Sequence, residues 1–504
     1  MRHLSVLLAF LLLLAACNNA REEGKGDSVR EKYLADQEKI NIAFSEFYFG
    51  NFDSIYALDA TNYLDLMDSR RADFDSLLQS FAKQNPGHYS DFVEKEKKEI
   101  KYAFDNFIVM YPYHHSRITG IKKLSYDIID ARLEDSNKEL NNPALLNIEG
   151  FVSYLESFLY IKSKIELQDP AYSHIDNQQL RATMKLIPVY FTNREVKDYL
   201  KHYYLYDYID RFGIKNIEDI YADFISTCTD TSMVNSVRSF YKSEKKDREG
   251  HLVRTYKTVD GFQLDLHIFL PGEINEKEKC PVMVYFHGGS WSEGKPDWVF
   301  PACEEYAKEG WVAVSVEYRL AYRHGTLPFE AVMDAKSAIR WLKMHAGEYN
   351  IDTNRIVVSG NSAGGHLALC TALVKNWNEA GDDLAISPAP NLILVNSGVY
   401  DLTDANNWIR QGLRERGRDE DLVEQISPVY LVREGLPPSL IIHGTNDRNV
   451  AFSTAETFVN EMKKAGNPVE SQVLEGADHY IWFGEYAQQV SGLRRDFLRK
   501  YHYE

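Results

Sequence analysis

Cysteine is scarce in this chain, five residues among 504, and no two of them form a C-x-x-C pair. That excludes a zinc ribbon or a redox dithiol as the organising chemistry. Cys228, Cys280, Cys303 and Cys370 are too widely separated for a disulfide pairing to be read from spacing. All four are taken as structural, with Cys370 buried in a helix. Positive charge is also short. The 57 Lys and Arg against 74 Asp and Glu leave a formal net charge of -17, which argues against nucleic acid and against adhesion to anionic lipid. There is no internal repeat, and beyond residue 16 no apolar run is long enough to span a bilayer. What remains is a globular composition, 44% hydrophobic and 26% charged, too long for one small core and suited to two or three domains.

At the start, Arg2 and His3 precede an apolar run from residue 4 to 16, too short for a spanning helix and shaped like a secretion signal. It ends in Leu14-Ala15-Ala16-Cys17, which resembles the lipobox of bacterial lipoproteins. The resemblance implies removal of residues 1–16, lipid attachment at Cys17, and contact with a membrane through that anchor alone. Residues 17–27 then form a tether. The expected place is the cell envelope. Asn18, where an aspartate commonly retains such proteins in the inner membrane, points to the outer membrane, facing the periplasm or the outside.

From 28 to 248 the pattern is helical and of unknown function. In Phe151, Tyr154, Leu155, Phe158, Leu159, Ile161 and Ile165 the apolar residues recur at three and four, one face of a helix. Tyr111, Tyr113, His114 and His115 form a polar-aromatic cluster, but adjacent histidines point different ways and no carboxylate has ligand spacing. Packing is preferred to metal ligation. The stretch from Glu195 to Lys246 loosely resembles the helical module that precedes the thioredoxin domain in some envelope lipoproteins of Bacteroidetes.

The grammar changes near Gly250, after the charged run 242–248, and residues 249–504 alternate strand and helix. Segments 254–259 and 263–270, joined by Asp260-Gly261, predict a hairpin with a type I′ turn. The apolar runs 281–286, 312–316, 356–359, 392–395, 439–442 and 469–474 read as strands buried on both faces of a parallel sheet. Helices are expected at 329–345 and 452–465. The sum is an eight-stranded, mostly parallel sheet with helices on both faces, the α/β-hydrolase fold, preceded by an all-α domain.

Within this half, Gly360-Asn361-Ser362-Ala363-Gly364 follows the strand ending at Ser359 and reads as a nucleophile elbow. A strand turning sharply into a helix exposes one side chain, and the crowded backbone needs glycine two residues to either side of it. Ser362 needs a base, because a hydroxyl is a poor nucleophile until its proton has somewhere to go. His479, in Gly476-Ala477-Asp478-His479-Tyr480 after the last strand, is the candidate. Asp447, just beyond the strand 439–442, orients it; Asp478 is a rival that its place next to His479 disfavours. The order Ser, Asp, His suits this fold. His287-Gly288-Gly289-Ser290-Trp291, after the strand 281–286, supplies an oxyanion hole through the N–H groups of Gly288 and Gly289, with Ala363 as third donor.

With Tyr285-Phe286-His287-Gly288-Gly289, Glu317-Tyr318-Arg319-Leu320, the elbow followed by Gly365-His366, Ser427-Pro428 and His443-Gly444-Thr445-Asn446-Asp447, the part from about 254 to 498 resembles the α/β-hydrolase esterases of the hormone-sensitive-lipase group, especially the acetyl or feruloyl esterase-like (BD-FAE) branch. The resemblance implies hydrolysis of small acyl esters, including carbohydrate esters, through an acyl-enzyme, with Ser362 as nucleophile, His479 as base and then acid, and Asp447 as its orienter. No cofactor or metal is called for. Two positions depart from the pattern: Ser290 stands for a third glycine, and Ala321-Tyr322-Arg323-His324 replaces the usual Ala-Pro-Glu. A prolyl-oligopeptidase-like peptidase is the nearest alternative, but its relatives carry a β-propeller where this chain reads as helical. An inactive hydrolase-fold binding lipoprotein is disfavoured because every catalytic part persists.

Overall fold

A computed structural model of the chain describes residues 27–272, 278–403 and 407–503. The signal run and Cys17 lie outside the described residues. Two compact units are present. The first holds the described residues up to Tyr172, with Gln179–Tyr204 and Ser226–Val234. Its longer helices are α1 (Ser28–Gly50), α2 (Ala60–Gln84), α3 (Ser90–Thr119), α4 (Glu149–Glu166) and α5 (Gln178–Tyr190). Along α4 the expected stripe is buried from Phe151 to Ile161, while Ile165 in the last turn is 37% exposed. The aromatic cluster of α3 is packed ring on ring. His114 sits 4.7 Å from Tyr56 and 5.2 Å from Phe52 between centroids. Tyr111 Oη donates to the Leu58 carbonyl at 2.9 Å, and His115 Nδ1 lies 2.8 Å from the Tyr56 carbonyl.

The second unit is built on one sheet, in the order β1-β2-β4-β3-β5-β6-β7-β8. β1 (Leu252–Val259) and β2 (Phe262–Phe269) form the expected hairpin, and Asp260 and Gly261 both take positive φ, 50° and 84°, as a type I′ turn requires. β2 runs antiparallel to β4 (Val312–Val316); β3 (Cys280–Phe286), β5 (Ile351–Asn361), β6 (Leu392–Asn396), β7 (Ser439–Gly444) and β8 (Val469–Leu474) continue in parallel from there. β4, β6 and β7 are buried throughout, and β3 at every residue but Pro281. β8 departs from the sequence expectation. It is the edge strand, Glu470 to Gln472 are polar, and its side chains are mostly half-buried or exposed.

Helices cover both faces. α6 (Arg194–Phe212), α7 (Glu218–Thr227) and α8 (Thr231–Asp247) precede the sheet; α9 (Phe300–Lys308), α10 (Pro328–Met344), α11 (Ala363–Leu373), α12 (Phe452–Lys464) and α13 (Ala487–Lys500) alternate with its strands. Residues of α9 and α13, among them Phe300, Cys303 and Phe497, share one core with Met283, Tyr285, Val357 and Leu394. Cys228, Cys280, Cys303 and Cys370 are buried free thiols.

The sheet-bearing unit reaches back past the change of composition near residue 248. It takes in Ser173–Gln178, Leu205–Ile225 and the chain from Asn235. Buried and half-buried ion pairs tie these segments to the sheet. Lys215 Nζ lies 2.6 Å from Asp265 and 2.6 Å from Glu317. Arg323 bonds Glu317 at 2.7 Å and clasps both oxygens of Asp176 at 2.6 and 2.7 Å. Burial alone raises the Glu317 carboxyl, but Lys215 and Arg323 outweigh it and hold the group far below the usual carboxylate range. A charge buried this deeply persists only when paired. The replacement of Ala-Pro-Glu by Ala321-Tyr322-Arg323-His324 thereby has a physical reason, since Arg323, with His324 3.5 Å from the same carboxylate, reaches the segment 173–178.

Candidate active site

Register decides where the site forms. Phe286, at the end of β3, pairs with Gly360 on β5, so the loop from His287 and the elbow leave the sheet at the same level. The elbow is as crowded as its glycines suggest. A Cβ on Gly360 would lie 2.2 Å from the Gly364 carbonyl carbon, and one on Gly364 would lie 2.0 Å from the Phe286 carbonyl oxygen. Ser362 itself takes φ 55° and ψ -123°, a sparsely populated conformation costing about 1–3 kcal/mol that neighbouring packing has to hold. Its N–H donates to the Asn396 carbonyl on β6 at 3.1 Å, and its carbonyl accepts from His366 in the first turn of α11 at 3.1 Å. Gly364→Ala is expected to cost more than about 4 kcal/mol, because its obstacles are backbone atoms that cannot swing aside. Thermal or urea denaturation checks this, and a loss below about 1 kcal/mol would show that the elbow can relax.

The oxyanion loop reaches the nucleophile from the other side. A Cβ on Gly288 would stand 3.6 Å from Ser362 Cβ and 3.2 Å from the Asn361 carbonyl oxygen. Ala363 opens α11, so its N–H has no partner within the helix and lies at the positive end of its dipole. Tyr318 Oη donates to the His287 carbonyl at 2.7 Å, its ring stacked on the His287 ring at 4.3 Å. Trp291 Nε1 donates to His366 Nδ1 at 3.2 Å, and His366 Nε2 lies 2.7 Å from the Ile426 carbonyl. Burial pushes the His366 imidazole down to about 4, so it stays neutral and can accept from Trp291. The motif residue Arg319 serves structure, pairing with Asp334 at 2.8 Å and Glu379 at 2.8 Å in the interior.

The structure brings Asp447 and His479 together. β7 pairs with β8 up to Gly444 and Leu474, and beyond that the Asn446 N–H donates to the Ala477 carbonyl at 3.0 Å, drawing the two loops together. His479 Nδ1 lies 2.7 Å from Asp447 Oδ2. The other oxygen, Oδ1, accepts from the N–H groups of Asn449 and Val450, both at 2.8 Å. The rival Asp478 is exposed and accepts from the Tyr480 N–H of its own turn at 2.9 Å.

Sequence reasoning overlooked His443. Its Nε2 lies 3.1 Å from Asp447 Oδ2, so two imidazoles converge on one carboxylate oxygen. Its spacing of four before Asp447, in a motif already singled out, was the available signal. Burial raises the Asp447 carboxyl, but the bonds from His443, His479 and the Val450 N–H outweigh it and hold the group well below the usual carboxylate range.

Known proteins resemble this part of the chain. Residues 266–462 match the BD-FAE family model. The esterase LipC of Mycobacterium tuberculosis is 30% identical over 221 residues, 40% of this chain and 53% of that protein. The probable carboxylic ester hydrolase LipM of the same organism is 32% identical over 219 residues, 40% and 49% of the two chains. A solved thermophilic esterase from the Planctomycetes species Thermogutta terrifontis shares 37% identity, covering 51% of this chain and 94% of that one, with a TM-score of 0.47. The chain spans about half the length of the curated relatives it matches. On the family match and these relatives, the sheet-bearing part of the chain belongs to the α/β-hydrolase esterases of the BD-FAE and hormone-sensitive-lipase group.

Proposed function

We propose that the protein is a serine carboxylesterase acting on small acyl esters, acetyl or feruloyl esters of carbohydrate among them, at the cell envelope, where lipid on Cys17 anchors it to the outer membrane. The observation that carries the catalytic reading is the 2.7 Å contact of His479 Nδ1 with Asp447, on loops that follow β7 and β8 in the same parallel sheet whose β5 leads into the elbow of Ser362. With Nδ1–H held by Asp447, His479 Nε2 keeps the lone pair that takes the Ser362 proton. Ser362 Oγ attacks the ester carbonyl, whose oxygen gains negative charge next to the N–H groups of Gly288, Gly289 and Ala363. The C–O bond to the alcohol breaks, and the alcohol departs with the proton from His479. Water, giving its proton to His479, then attacks the acyl carbonyl; the acyl–Oγ bond breaks, Oγ recovers the proton from His479, and the carboxylic acid leaves. Each step is a displacement or a proton transfer of a kind these groups perform, so the mechanism calls for no cofactor.

Exposed rings beside the reacting residues support an aromatic acyl group or a sugar as substrate. Trp298, 45% exposed, is edge-on to His287 at 6.0 Å, and Tyr480 and Phe483, 54% and 63% exposed, follow His479. The test offers purified protein an aryl acetate, a feruloylated oligosaccharide and a dipeptidyl anilide. Turnover of the esters but not the anilide, with fluorophosphonate labelling of Ser362, is expected; no ester turnover and no labelling would sink the reading. Mass spectrometry of the membrane fraction checks the anchor, and an unacylated mature N-terminus other than Cys17 would overturn it.

A further inference from the structure

We infer that Arg211, on the helix α6 that precedes the hydrolase sheet, is a positioning residue for the oxyanion hole. The inference rests on the ester-hydrolase reading above. The loop from Gly289 to Gly294 is held in an unfavourable shape. φ is positive at Gly289 (107°), Ser290 (53°), Trp291 (56°) and Gly294 (115°), and two of these residues carry side chains that disfavour that region. Such a shape persists only where surrounding structure over-determines it. Three restraints come from the hydrolase fold itself. The Ala321 and Tyr322 N–H groups donate to the carbonyls of Trp291 and Ser292 at 2.9 and 3.1 Å, and Trp291 reaches His366.

Further restraints come from the segments before the sheet. The Gly294 N–H donates to the Arg211 carbonyl at 3.1 Å. Arg211 Nε donates to Glu293 Oε2 at 2.8 Å, its Nη2 bonds the same oxygen, and its Nη1 reaches Asp207 at 3.1 Å. Beyond the loop, Lys295 Nζ is buried against Glu244 of α8 at 2.6 Å. Glu293 is coupled to the oxyanion donor by contact. Its N–H donates to the Gly289 carbonyl at 3.0 Å, and its own carbonyl oxygen lies where a Cβ on Gly289 would be 2.1 Å away. A shift of Glu293 is therefore a shift of Gly289, and the Arg211 fork fixes Glu293. Residues outside the matched family segment thus set the geometry of the hole, which gives the pre-sheet helices a part in the chemistry.

Arg211→Ala in the full chain is expected to lower kcat for an aryl ester by roughly 10- to 100-fold with KM within about threefold, because a misplaced donor weakens the transition state and not the ground state. Affinity for a trifluoromethyl ketone, whose adduct bears the oxyanion, should fall in the same ratio as kcat/KM. Glu293→Gln, which keeps shape and loses charge, is expected to lie between this variant and the wild type, and Arg211→Lys to recover part of the loss. A folded Arg211→Ala protein with wild-type kcat, or one changed in KM alone, overturns the inference. If that variant does not fold, Glu293→Gln decides, and an unchanged kcat and ketone affinity overturn it. A wild-type protein that turns over no ester is a different failure, which removes the hydrolase reading and this inference with it.

Discussion

Ser362→Ala is expected to lower kcat for an aryl ester by about 10⁴-fold or more and to abolish fluorophosphonate labelling, with the protein still folded. The size follows from what is lost. Without Oγ no acyl-enzyme forms, and what remains is water attack on a carbonyl polarised by the N–H groups of Gly288, Gly289 and Ala363. Stability is expected to hold because the substitution leaves the backbone alone. Alanine at φ 55° and ψ -123° is no more strained than serine, and the side chain is only half-buried. Ser359 and Ser397 in the neighbouring strand ends do not offer a substitute, since both are fully buried. Steady-state kinetics with a melting curve on the same sample is the check. A folded variant with kcat within about tenfold of wild type would remove Ser362 from the reaction.

Local demands made much of this site readable from sequence. Gly360 and Gly364 announce the elbow because a Cβ at either place strikes backbone, and Asp260-Gly261 announces the hairpin because both residues take positive φ. Asp447 and His479 were legible at one remove. Each follows a strand, and in a parallel sheet strand ends share an edge. What could not be read was pairing between distant segments. Arg323 was visible as a departure from the family pattern, but its partner Asp176 lies 147 residues earlier, and nothing in the residues around either one names the other. The same holds for Arg211 and Glu293, 82 residues apart. β8 was misjudged because Val469, Val473 and Leu474 suggest burial, whereas position at the sheet edge decides it. Charged and polar side chains report that a partner exists, and only the fold says which.

Asp447→Asn is expected to lower kcat by about 10⁴-fold with KM little changed, through the tautomer of His479. Four donors surround the carboxylate. The N–H groups of Asn449 and Val450 take Oδ1, and His479 and His443 take Oδ2. An amide has one acceptor side and one donor side. The backbone N–H groups cannot reverse, so the amide oxygen must face them and its NH₂ must face the two imidazoles. His479 then turns Nδ1 into an acceptor and carries its proton on Nε2, where it can no longer receive one from Ser362. His443 does not follow, because its Nε2 also lies 3.1 Å from the Val450 carbonyl, an acceptor that holds the proton on that nitrogen. Imidazole ¹⁵N chemical shifts should report the exchange at His479. The stability difference between wild type and variant should be full at neutral pH and shrink as pH falls below the ordinary carboxyl value of 3.8 towards the lower folded value of Asp447. Asp478→Asn, changing an exposed carboxylate engaged in its own turn, should leave kcat within about twofold. If the two variants exchange these outcomes, Asp478 is the orienting acid, and the convergence of His443 and His479 on Asp447 serves the fold alone.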